Sequence, residues 1–411
     1  MATPEQPAAT PAQVFMTLSA IAASAAVRRP SGETGAEHAR RIMSGVTSQL
    51  ADPGLATGGT WQPLWFGLTP DNGNFAYIAW NSASPGDFAL AVRGTVFSDP
   101  IDLMEDFAVG ETVPFDTGGS PGQVQVSKGA MDAFRLLTGQ RGLDRIGEPT
   151  GVTLLRALDD YTGPKSGARV FVTGHSLGGC VATMLAPYLQ QQTWQQTPGF
   201  GLVTFAAPTA GLRDFAGYVE SLAWSLQERH VNDYDLVPLA WADILKAEGW
   251  YPPPGPPASP GMQAALLLIS QAPKGNVYVQ PGAPTGWNGG YGLHDPNALQ
   301  DYLGQVAFQH ANPTYLALLG APLTPAAPAV RSLSPSSGPA GTEVTVDGSG
   351  FTEDSVVDFG RVAVPDADVE VFPPDRIVVT KAPAGSGAVD VRVTNTIGTS
   401  PAVPGGTFTY T

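Results

Sequence analysis

One cysteine in 411 residues, Cys180, leaves nothing for an intramolecular disulfide to pair with and no cysteine-based zinc site. Its place among apolar neighbours reads as packing. Charge is also scarce, at 14% of residues, and the basic share is the smaller, with 21 Lys and Arg against 36 Asp and Glu. The net charge of -15 makes nucleic acid and anionic membranes poor partners, and its plainest reading is solubility. No apolar run approaches the roughly 18 residues of a membrane span. Val14 to Ala26 is small and apolar, but Glu5 and no basic residue precede it. The positive region of a secretory leader is therefore missing, and a helix of the folded domain is expected there.

What the chain does have is glycine (49) and proline (39), the mark of a loop-rich protein, and a length that accommodates two domains. It is organised around Arg169 to Met184. A β-branched strand, Arg169 to Thr173, runs into Gly174-His175-Ser176-Leu177-Gly178, then Gly179 and an apolar helix. A G-x-S-x-G pattern alone is weak evidence; between a strand and a helix it has the context that a nucleophilic serine needs. The glycines let strand and helix pass closely, and the new helix aims free N–H groups at the reaction centre.

Upstream, Pro11 to Arg28 and Thr34 to Leu50 read as helices, the second opened by a Thr34/Glu37 capping box. Strands are expected at Trp61 to Leu68, Phe75 to Trp80 and Phe88 to Val92, with Asp71-Asn72-Gly73 as a hairpin turn. The third leads into Arg93-Gly94-Thr95, where a hydrolase places part of its oxyanion hole. Ser98 to Phe107 mixes apolar and acidic residues and reads equally as a surface helix or a flap. Val126 to Leu137 and Thr150 to Tyr161 read as helices, Gly201 to Phe205 and Asn276 to Gln280 as strands, the latter the last of the sheet. Asn297 to Phe308 and Asn312 to Leu319 read as helices. The alternation predicts an α/β fold with a mainly parallel sheet. The piece from about 239 to 275 reads as an insertion that either joins the core or caps the site. After the linker at 321–328, short alternating runs from 329 to 411 predict an all-β sandwich.

An acyl-transfer site needs a base for Ser176 and a carboxylate to orient that base. Asp235 and Asp233 compete for the acid, and Asp235 is preferred because Leu-Val-Pro follows it, as at a buried strand end. Among five histidines, His294 and His310 both follow the last expected strand, the first in a glycine-rich loop, the second between two helices. The residues alone leave that choice open.

V-R-G-T (92–95), G-H-S-L-G-G (174–179), T-F-A-A-P (204–208) and N-D-Y-D-L-V-P (232–238) resemble, in order, the motifs of the class 3 lipases. The resemblance covers about residues 60 to 320 and implies an α/β-hydrolase domain over 1–320. It implies Ser176 as nucleophile, Asp235 as acid, Thr95 and Leu177 as oxyanion donors, and no metal or cofactor. Asp106 matches the acid that follows the lid in many relatives. The family's base precedes a short helix containing Tyr, which favours His310 over His294. Ala206 stands where the family usually has Gly. The implied activity is that of a serine carboxylester hydrolase, a lipase or esterase working through an acyl-serine, with phospholipid, feruloyl or polyester substrates as alternatives. The C-terminal S-L-S-P-S-S-G-P-A-G-T-E-V-T-V-D-G-S-G-F (332–351) resembles an IPT/TIG domain. That likeness implies an immunoglobulin-like sandwich serving in protein or glycan contact, often outside the cell. A non-catalytic binding protein is the reading of another class.

Overall fold

The computed structural model describes residues 8–26, 34–70, 73–93, 108–117, 123–144, 148–251, 255–288, 290, 302–324, 328–351, 355–372, 375–395 and 398–411. The α/β part contains strands β1 (Trp61–Leu68), β2 (Phe75–Asn81), β3 (Asp87–Arg93), β4 (Thr112–Pro114), β5 (Gln125–Ser127), β6 (Arg141–Leu143), β7 (Pro149–Thr153), β8 (Arg169–His175), β9 (Gly199–Phe205), β10 (Leu226–Asn232) and β11 (Thr285–Trp287). Its helices are α1 (Pro11–Ala23), α2 (Gly35–Leu50), α3 (Lys128–Gly139), α4 (Leu154–Thr162), α5 (Leu177–Gln190), α6 (Arg213–Ser221), α7 (Pro260–Gln271), α8 (Tyr302–His310) and α9 (Asn312–Leu318).

The main sheet runs β11-β10-β9-β8-β3-β2-β1-β6-β7. From β3 to β11 every pairing is parallel; from β3 to β7, through β2, β1 and β6, every pairing is antiparallel. The reason lies in composition. After their first residues, β8 and β9 are buried throughout, as strands covered on both faces must be, and their near-continuous apolar runs supply that. Alternation along β1, β2 and β3 divides the core in two. Trp65, Ile78 and Leu90 pack towards α3, α4 and α5, whereas Phe66, Tyr77 and Ala89 pack towards α1, α2 and α9. The capping box of α2 is formed: Thr34 N donates to Glu37 Oε2 at 2.8 Å and Glu37 N donates back to Thr34 Oγ1 at 3.2 Å.

Three expectations about elements are corrected. Residues 150–153, expected in a helix, belong to β7, because Thr150, Val152 and Thr153 are β-branched and Gly151 sits at φ 68; the helix starts at Leu154. Asn276 to Gln280 is not a strand. Tyr278 makes one isolated bridge to Leu212, and the segment is tied down by Val279 N–H to Gly211 O, Tyr278 OH to Val109 O and Gln280 Nε2 to Ala207 O. The edge position is taken by β11, whose Thr285, Gly286 and Trp287 pair with His230, Val231 and Asn232. Finally, α8 runs through His310 rather than stopping at Phe308. Asp71 and Asn72 lie outside the described residues, although β1 and β2 pair antiparallel from Leu68 and Phe75 onward.

The 239–275 piece packs on the main core. Trp241, Ile244, Ala247 and Tyr251 belong to the main core, while α7 buries Leu266 and Ile269 and exposes Leu267 and Leu268. Cys180 is buried in α5, as packing requires.

Residues 328–411 form the immunoglobulin-like sandwich. One sheet pairs Ala329–Ser334, Val344–Ser349, Arg376–Val379 and Val369–Phe372; the other is built on Ala388–Asn395, flanked by Thr407–Tyr410 and Val356–Phe359. Inward positions alternate along each strand, and Val346, Val357, Phe359, Ile377, Val379, Val391 and Phe408 fill the space between the sheets.

Candidate active site

Parallel strands deliver all their carboxyl ends to one edge, so loops far apart in sequence meet there. The register sets Val92 opposite Gly174 and Gly174 opposite Thr204, which brings the ends of β3, β8 and β9 level. At the end of β8 the chain turns within one residue. Ser176 takes up that turn with φ 56 and ψ -132, a left-handed region that costs a non-glycine residue about 1–3 kcal/mol. The flanking glycines are steric necessities. A Cβ on Gly178 would overlap Val92 O, one on Gly174 would overlap the Gly178 backbone, and one on Gly179 would come within 2.8 Å of Ala207 Cβ. Ala206 stands at φ 53 at the end of β9, so this chain holds an alanine in a conformation that glycine adopts freely.

The half-buried Ser176 hydroxyl faces His310, with Oγ 2.8 Å from Nε2. The other ring nitrogen, Nδ1, is 2.9 Å from Asp235 Oδ2. Because a carboxylate can only accept, the proton sits on Nδ1, and Nε2 is left to accept from the serine. The Asp235 side chain is fully buried, and three donors satisfy it. His310 and Tyr315 OH (2.8 Å) donate to Oδ2, and Val237 N–H donates to Oδ1 at 3.0 Å.

A second layer of buried polar groups ties the acid to the base across 75 residues. Asn232 N–H donates to Tyr315 OH, and Asn232 Nδ2 donates to Gln309 O at 2.9 Å and to Gln309 Oε1 at 2.5 Å. Gln309 Nε2 in turn donates to Gly290 O and to Gln305 Oε1. Sequence reasoning missed this network. Asn232 lies in the quoted N-D-Y-D-L-V-P run and Gln309 directly precedes His310, but amides carry no spacing signature.

His175 packs beneath the base, its ring centroid 4.8 Å from that of His310 and 5.3 Å from that of Tyr315. Burial first, and the neighbouring His310 second, hold its pKa well below 6.5, so it stays neutral beside the base. His230 is equally structural. It stacks on Phe205, accepts from Trp287 Nε1 through Nδ1, and meets Glu228 through Nε2.

Leu177 is the first residue of α5, where a backbone N–H has no acceptor within its own helix. Thr95, Asp106, His294 and the 98–107 segment lie outside the described residues. His310 Nδ1 meets Asp235 rather than Asp233, and both carboxylates line one cleft. Among the described residues, no group of three or more His, Cys, Asp or Glu is arranged to hold a metal, and no helix is long and apolar enough to cross a membrane.

Residues 89–243 match the family model described as Lipase (class 3), and residues 328–410 match that of the IPT/TIG domain. No curated protein matches the chain. Among solved structures, M37 lipase is 24% identical with a TM-score of 0.65, over 76% of this chain and 92% of that one. The match shows the α/β fold. Lipase II from Rhizopus niveus (20% identity, TM-score 0.41, 56% and 76% covered) and the Rhizomucor miehei lipase propeptide complex (22%, 0.40, 56% and 61%) are similar over less of the chain.

Proposed function

We propose that this chain, a class 3 lipase domain followed by an IPT/TIG domain, is a serine carboxylester hydrolase that acts through Ser176, His310 and Asp235. One observation carries the reading: a single line of hydrogen bonds joins the hydroxyl on the strained turn to an imidazole and then to a fully buried carboxylate. Ser176 Oγ attacks the ester carbonyl while Nε2 of His310 takes its proton. Asp235 holds the ring and stabilises the imidazolium. The Leu177 and Thr95 backbone N–H groups receive the oxyanion. Return of the proton to the leaving alcohol gives acyl-Ser176. Water, activated by the same imidazole, then releases the carboxylic acid and restores the serine. No step calls for a metal or cofactor.

The substrate is an acyl ester, with triacylglycerol the first candidate and phospholipid, feruloyl and polyester substrates the variants to compare. The hydrolase unit spans 1–320, the 239–275 piece flanks its cleft, 321–328 is a linker, and 329–411 is a separate contact module. The experiment is hydrolysis of p-nitrophenyl esters from short to long acyl chains by wild type, Ser176→Ala, His310→Ala and His294→Ala. Loss in the first two variants with His294→Ala active is expected. Collapse in His294→Ala alone would move the base into the 291–301 segment. A wild type inactive on every ester would leave binding through the sandwich as the working function.

A further inference from the structure

The peptide plane from which Asp235 hangs is gripped at both ends. Asp235 N–H donates to Asn232 O at 2.9 Å, and the carbonyl of the same peptide, Tyr234 O, accepts from Tyr251 OH at 2.7 Å. Rotation of this plane would swing the carboxylate away from His310. The Tyr251 hydroxyl thus holds the acid by its main chain, where the other donors hold it by its oxygens.

The same side chain reaches towards the base. Its ring centroid lies 5.0 Å from that of Tyr302, the first residue of α8, whose last residue is His310. Tyr302 OH donates to Ala247 O at 2.7 Å, in the 3-10 turn Ile244–Gly249 that leads to Tyr251. A rise of about 1.5 Å per residue carries any tilt at Tyr302 roughly 12 Å along α8 to His310.

The backbone at Tyr251 is strained to achieve this. The residue is fully buried at φ 59, a left-handed conformation that a bulky aromatic residue rarely adopts. Gly255 backs it, since a Cβ there would come within 2.7 Å of Tyr251 O. Burial first, with Tyr302 and Asp235 as lesser causes, pushes the Tyr251 pKa up, so the hydroxyl keeps the proton it donates. Strain of this kind persists where the surroundings over-determine it, and it gathers at functional sites. Tyr251 lies beyond 89–243, the stretch that matches the class 3 family.

We propose that Tyr251 is a positioning residue for the triad: it braces the turn that carries Asp235 against the helix that carries His310, and so fixes the hydrogen bond between them. This rests on the reading of Ser176, His310 and Asp235 as the reacting set.

The test compares Tyr251→Phe, which keeps the ring on Tyr302 and loses the bond to Tyr234 O, with Tyr251→Leu, which loses both. Two readouts are taken on protein shown to be folded by circular dichroism: p-nitrophenyl ester kinetics, and the downfield proton resonance of His310 Nδ1–H. We expect kcat to fall about fivefold in Tyr251→Phe and about 10- to 100-fold in Tyr251→Leu, with KM within about twofold. The resonance should weaken or move upfield in the same order and persist in Ser176→Ala. Wild-type kcat and an unmoved resonance in Tyr251→Phe would overturn the proposal, as would losses confined to thermal stability or to KM. If Tyr251→Leu fails to fold, Tyr251→Phe decides alone, because it preserves the shape of the core. A wild type that hydrolyses no ester would sink the reaction, and the resonance would then decide the brace by itself.

Discussion

The two domains bury very different things. The sandwich interior is valine, isoleucine and phenylalanine, with Ser355, Asn395 and Ser400 as its buried polar residues among those described. The α/β domain buries His175, Asn232, Asp235, Gln305, Gln309 and His310 within one neighbourhood. Burying an amide or a carboxylate costs free energy unless every hydrogen bond is made, and an apolar core of the same shape would be at least as stable. A fold keeps such groups where their orientation matters. The contrast therefore locates function without reference to any motif, and it can be attacked from both sides.

The largest effect is expected at the acid. Asp235→Asn keeps the shape but permits the wrong imidazole tautomer, and kcat should fall roughly 10^4-fold with the fold retained. Ester turnover together with far-UV circular dichroism would check this, and activity within tenfold of wild type would remove Asp235 from the role. On the other side, Phe408→Ala should destabilise the sandwich by about 3–5 kcal/mol and leave ester hydrolysis unchanged. A parallel loss of turnover would break the comparison, because the sandwich would then support the site.

Gln309→Ala tests whether the amide network orients the base. A kcat decrease of about 10- to 100-fold with little change in KM is expected, since a small misplacement of the ring is costly. Gln309→Glu keeps the acceptor for Asn232 but loses the donor to Gly290 and Gln305, so it should not recover the activity. A loss of thermal stability with kcat intact would reduce Gln309 to packing.

The smallest effect is in pH dependence. Folded His175 has its pKa held well below 6.5, so below that pH the unfolded chain takes up a proton that the folded chain refuses. Stability is thus full above pH 6.5 and falls as pH drops towards the folded pKa, by about 1.4 kcal/mol per pH unit for this group. His230, lowered by burial as well, adds in the same sense. Urea unfolding across this range should show a shallower slope in His175→Gln; an unchanged slope would mean the ring is accessible to protons.

How much of this could be read beforehand depends on how local the signal is. The turn at Ser176 was legible because sterics act between neighbours: Gly174, Gly178 and Gly179 each stand where a Cβ has no room. The sandwich was legible from alternation, because Val344/Val346 and Ile377/Val379 face one core. The run N-V-Y-V-Q at 276–280 has the same alternation and is not a strand: its backbone makes one isolated bridge, to Leu212, and no neighbouring strand extends that pairing. The pairing of Asn232 with Gln309 was illegible for the opposite reason: it joins residues 77 positions apart through groups that any surface also carries.

The buried thiol of Cys180 has a practical consequence. It is the single cysteine of the chain, it sits one turn into α5 from Ser176, and burial pushes its pKa up, so the reactive thiolate is suppressed while the helix stays packed. A thiol reagent then reacts only when that core opens, and the rate of modification becomes a clock for opening events at the nucleophile's helix. The same silence clears the background for a cysteine placed elsewhere. One engineered surface thiol per domain would carry a spectroscopic label to each, with the native sulfur unreactive between them.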